Sequence, residues 1–111
     1  SDLEQRLATA CEMLLISIFE LQQSTPDALD MDDLQFPVVR DIYTMFEDYL
    51  AALIADDLPV TDWPTSDAAR VLLYGARGLR KVAASADDYR TLIRLHVALL
   101  VRGMLAGTPR F

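Results

Sequence analysis

A single cysteine, Cys11, and a single histidine, His96, leave this chain little reactive chemistry to work with. One cysteine cannot close an internal disulfide, so a reducing cytoplasm is the expected setting. A zinc site needs several His, Cys or carboxylate ligands, and there is neither a second histidine nor a second cysteine to supply them. A cysteine nucleophile needs a nearby base and an orienting group; Cys11 is therefore expected to be an inert, buried thiol on the first helix. Glycine is scarce too, with four in all, and Gly75-Ala76-Arg77-Gly78 sits inside a helical pattern rather than in a phosphate-binding loop. No apolar run approaches the roughly 20 residues that cross a bilayer. The acidic start Ser1-Asp2-Leu3-Glu4 is also unlike a secretory signal. Basic residues are in deficit, 10 against 17 acids for a formal charge of −7, and phosphate neutralisation by Lys and Arg is what DNA binding needs. Arg77, Arg80, Lys81, Arg90, Arg94 and Arg102 gather in the second half, but their spacing suits exposed helix faces and pairing with Asp87 and Asp88. Asp27, Asp30, Asp32 and Asp33 lack the spacing and glycine of a calcium loop and read as a solvated acidic surface. These absences predict no catalytic residues, no cofactor, no metal and no membrane association.

What remains is abundant apolar surface: 52% of the 111 residues are hydrophobic, enough for one packed domain over 1–111. The pattern is helical throughout, with no convincing strand. The first helix is expected from about Leu3 to Gln23, with Asp2 and Gln5 as a variant capping box. Its apolar positions are Leu3, Leu7, Ala10, Leu14, Ile18 and Leu21, and between Met13 and Phe19 it is apolar nearly all round, which predicts a central place. Thr25 and Pro26 suit the start of a short acidic helix over 27–32. Phe36-Pro37 begins a longer helix ending near Asp57, with Val39, Ile42, Phe46, Tyr49, Leu50 and Leu53 on one face. After a linker with two prolines and the only tryptophan, Thr65 or Ser66 caps a helix running to about Ala84. Ser85 and Asp88 then cap the last helix, with Gly107 and Pro109 as its stop signal.

The last two helices carry the functional expectation. Leu95 to Val101 is apolar around the whole circumference except for His96, and the preceding helix bears Val71, Leu72, Leu73, Ala76, Leu79 and Val82. A chain this small has room to enclose about one helix fully, so a face of these two is left for a second copy. Two helices from each copy would make a four-helix bundle about a two-fold axis. Gly75 and Gly78 are costly inside a helix and suit the close approach of another helix, or else mark a local kink.

The run from Asp67 to Leu79, DAARVLLYGARGL, resembles the penultimate helix of TetR-family transcriptional regulators. Tyr89 and the run Leu99 to Met104, LLVRGM, resemble their final helix. The resemblance covers most of the chain but rests on small and apolar residues. It implies an all-α, antiparallel domain of four long helices plus a short one, whose last two helices pair in a homodimer. It further implies that the chain is the effector-binding and dimerisation half of a repressor. The basic helix-turn-helix module typical of the family has no counterpart in this sequence, so DNA would be contacted only through that missing N-terminal part. A small, mostly apolar effector would act by shifting a conformational population.

On this reading Met13, Phe19, Tyr43, Phe46, Tyr74 and His96 are candidate effector contacts, with Met45 and Tyr49 as further walls. Gly75, Gly78, Leu79, Leu95, Leu99 and Arg102 are candidate dimer contacts. Ordinary core packing accounts for the same aromatics without any ligand, and His96 suits a satisfied core or interface position as well as a ligand contact. The alternative function is a free-standing helical interaction module that docks a different protein.

Overall fold

The computed structural model of the chain describes residues 2–25, 33–58 and 63–106. Four α-helices account for most of them: α1 (Asp2–Ser24), α2 (Pro37–Asp57), α3 (Thr65–Gly78) and α4 (Ala86–Ala106), with a 3-10 turn at Leu79–Lys81 after α3. Among the described residues there is no strand, and no helix is long and apolar enough to cross a membrane. The short helix expected over 27–32 and the stop signal at Gly107 and Pro109 lie outside the described residues.

Local chemistry explains the helix ends. Pro37 occupies the first helical position of α2, where a missing N–H costs nothing. Ser85 caps α4: the Asp88 N–H donates to Ser85 Oγ at 3.1 Å, and Asp88 returns the contact by accepting from the Ala84 N–H at 2.8 Å. This is the expected capping pair with its return bond moved one residue outward. The expectation for α3 was wrong in detail. Its cap residue is Pro64 with no side-chain bond, Thr65 is already helical, and the α-helix gives way to the 3-10 turn after Gly78 rather than running to Ala84.

The core is built from stripes spaced four residues apart. Leu3, Leu7, Cys11 and Leu15 on α1 face Tyr89, Ile93, Val97 and Val101 on α4, all buried. Burying a side chain of this size stabilises by about 1.5–3 kcal/mol. Tyr43, Leu50 and Ile54 of α2 and Ala69, Leu72, Leu73 and Ala76 of α3 complete the core. α1 and α4 run antiparallel, because Glu12 meets Arg94 at 2.7 Å while Glu4 meets Arg102 at 3.0 Å. Arg6 bridges α1 to Asp57 at the end of α2, and it also meets Asp2 in the first turn of α1 at 3.1 Å.

Two expected faces are corrected. α1 is not enclosed: Met13 and Leu21 are exposed, and burial follows Leu15 and Ile16 instead. In α2 the buried face is turned toward Tyr43 and Ile54, leaving Ile42 and Tyr49 outside.

Candidate functional site: the outer face of α3 and α4

With their inner stripes buried, α3 and α4 show their opposite sides to solvent. Val71, Gly75 and Gly78 follow one another at spacings of four and three along α3, and Leu95 and Leu99 are four apart along α4. The three large side chains of this face, Val71, Leu95 and Leu99, are each more than half exposed, at 57%, 55% and 66%. Exposed apolar side chains scattered singly are unremarkable, but a row of them across two adjacent helices is a surface that water covers poorly.

His96 lies in the seam between the two helices. Its Nε2 is 3.0 Å from the Leu72 carbonyl, and the ring covers Gly75. A Cβ at position 75 would stand 2.6 Å from His96 Cε1 and 2.7 Å from Nε2, closer than real contacts allow. The bare backbone at Gly75 is thus required by a side chain of the same subunit, which corrects the expectation that both α3 glycines serve the approach of another helix. Gly78 and Gly103 differ: a Cβ at either would meet nothing within 4 Å. Of the remaining dimer candidates, Leu79 is half-buried against the core, and Arg102 turns its guanidinium toward Glu4 on the α1 flank of α4.

At one end of this face lies a cleft of about 380 Å³ between the start of α3 and the last turns of α4. Its walls are almost wholly apolar, formed by Trp63, Pro64, Ala68, Val71, Leu99 and Met104, with Gly103 beside them. Among the described residues Asp67 is the only charged one on the rim, and its carboxylate lies 3.6 Å from Arg70 in the first turn of α3.

The residues expected to bind an effector do not converge. Tyr43 is fully buried and stacks on Tyr74 with ring centroids 5.8 Å apart, while the Arg77 guanidinium lies 5.6 Å from the Tyr43 ring centre. Burial, followed by the charge of Glu47 and its hydrogen bond, raises the Tyr74 hydroxyl above the usual phenol range. Phe46 is half-buried against the core. Phe19 belongs to a different contact, 5.3 Å from Tyr89, whose hydroxyl donates to the Ala76 carbonyl at 2.9 Å. Met13 and Met45 are exposed at 67% and 69%, and Met13 shares a shallow surface groove with Tyr49. Only His96 reaches the α3–α4 face. Tyr43 and Tyr74 therefore pack between α2 and α3, the first fully buried and the second half-buried against it, with polar partners nearby.

No family model matches the chain, and neither does any curated protein or solved structure. Among the described residues no group of three His, Cys, Asp or Glu is gathered closely enough to hold a metal ion. Cys11 is fully buried, and burial, helped by the neighbouring Glu12 charge, pushes its thiol up to about 12, so no thiolate forms near neutral pH. The cleft residues Trp63, Ala68, Val71 and Met104 were not singled out as ligand contacts from the sequence. The one signal pointing that way was the only tryptophan, placed in a proline-bearing linker next to a helix start.

Proposed function

We propose that the outer face of α3 and α4 pairs with a second copy of the chain, and that the chain is the dimerisation and effector-sensing half of a TetR-like transcriptional repressor. The observation that carries this reading is the row Val71, Leu95 and Leu99, exposed around backbone left open at Gly78. Two such faces brought together about a two-fold axis form a four-helix bundle, removing apolar area from water on both sides. The likeness of the α3 and α4 sequences to the pairing helices of that family supports the same arrangement. In this role the chain would set the separation of two DNA-reading modules, and an effector would act by favouring one separation over another.

Light scattering over a dilution series tests the pairing. The expected result is a dimer whose dissociation midpoint moves at least tenfold higher in Leu99→Glu and Gly78→Glu. The open space at Gly78 means that the second variant adds charge to the face without crowding the fold.

A second reading is supported by α2. Val38, Ile42, Met45 and Tyr49 form an exposed stripe at spacings of four, three and four, a surface suited to a partner helix. A chain that stays monomeric at tens of micromolar would favour a module that docks another protein through this stripe.

A further inference from the structure

We infer that the cleft bounded by Trp63, Val71, Leu99 and Met104 is a binding site for a neutral, hydrophobic small molecule. This rests on the proposed sensing role and names the class of effector and its location. Ligand cavities run from about 300 to 1,000 Å³, and the cleft, at about 380 Å³, is large enough for a molecule of two or three fused or linked rings. Its walls offer broad apolar contact. Trp63 is a flat, rigid wall, while Met104 is flexible and polarizable and adapts to the shape of what it touches.

Charge disfavours the other ligand classes. Among the described residues Asp67 is the only ionisable group lining the cleft, and its carboxylate repels an anion. Toward a cation it is a weak anchor, because its carboxylate is largely exposed to water, lies 3.6 Å from Arg70 and sits in the first turn of α3, where the helix dipole favours it. Recognition is left to shape and to removal of apolar surface from water.

Gly103 leaves the mouth of the cleft open. Glycine is unfavourable in a helix interior, yet it stands here in α4 where the cleft opens, and a Cβ would meet nothing within 4 Å. A larger residue at this position would fill the space instead of straining the fold. The cleft also shares Val71 and Leu99 with the proposed pairing face, so a ligand and a second copy draw on the same two side chains.

Trp63, the only tryptophan, makes the site observable. Titration of the full chain with the neutral dye N-phenyl-1-naphthylamine should give saturable binding of one dye per chain, with dye emission sensitised by excitation of Trp63. Gly103→Leu should weaken binding at least tenfold while its melting temperature stays level or rises, and Ala68→Leu should do the same from the opposite wall. Gly78→Glu, which disrupts pairing but does not line the cleft, should keep the dye. Non-saturable uptake overturns the inference, as does wild-type affinity in both filled variants. Loss of the dye in Gly78→Glu would overturn a site belonging to the single chain, whereas a monomeric wild type that still binds the dye would remove only the pairing.

Discussion

Alanine in place of Gly75 should destabilise the folded chain even though alanine is the better helix former. In an unconstrained helix interior this exchange gains about 0.5–1 kcal/mol. Here the new methyl would lie 2.6 Å from His96 Cε1, whereas carbon atoms rest at about 3.5–4.0 Å, so the ring has to withdraw by roughly 1 Å. Withdrawal breaks the 3.0 Å contact with the Leu72 carbonyl, worth about 0.5–1.5 kcal/mol net, and moves the imidazole off its rotamer at a further cost of about 0.5–1.5 kcal/mol. The balance is a loss of about 1 kcal/mol. In a His96→Ala background nothing occupies the seat, and the same substitution should gain about 0.5–1 kcal/mol. The change of sign implies a coupling of about 1.5–2 kcal/mol between the two positions, within the range measured for residues in contact. Urea denaturation followed by circular dichroism on the four proteins measures it directly. All four must be studied at one chain concentration, because the proposed dimerisation would make stability depend on it. If Gly75→Ala has the same sign and size in both backgrounds, the steric account of this glycine is wrong.

Tyr89→Phe removes the hydroxyl that ties α4 to the Ala76 carbonyl at the end of α3 and should cost about 1 kcal/mol in the same assay. Cys11 should resist alkylation at pH 8 in the folded protein and react at once in urea. Its thiol is raised from 9.0 to about 12, so the folded state holds the proton longer than the unfolded chain does. The resulting stability is fully present below about pH 9 and is lost as pH rises toward 12, at up to about 1.4 kcal/mol per unit. Cys11→Ala should lack that part of the alkaline slope, and an unchanged slope would show that other groups govern it.

The helices themselves were legible because their determinants are local. Ser85 with Asp88, Pro37 at the start of α2 and the four-residue spacing of Tyr89, Ile93, Val97 and Val101 all act within a turn or two of chain. The buried face of α2 was harder to place. Ile42 and Tyr43 are adjacent, both apolar, and the apolar positions of that helix span too wide an arc for periodicity to say which edge faces inward. Tyr43 is buried because Tyr74 lies across from it, and that partner is distant in sequence. Gly75 could be flagged as unusual, but its reason is a histidine on the next helix, which only packing reveals. The cleft joins the start of α3 to the end of α4, two apolar stretches with no shared pattern. The Tyr43–Tyr74 stack, in contrast, shows how aromatics that suit a cavity wall serve equally well as filling.

The two ion pairs along the back of α4 restrict how that helix can move. Glu4–Arg102 and Glu12–Arg94 lie eight residues apart on both helices, about 12 Å along the axis. A slide of one turn in either direction would put Ala98 opposite one of the two glutamates, and no intermediate position satisfies both. Exposed pairs of this kind are individually weak, but they reinforce a seam already toothed by Ile93, Val97 and Val101. Toward α3, α4 is held by the Tyr89 hydroxyl on the Ala76 carbonyl and by His96 at the Leu72 carbonyl, both at or before the midpoint of the helix. Displacements passed along this helix should therefore be a rocking of its cleft end, at Leu99 and Met104, about those contacts, rather than the stroke of a piston.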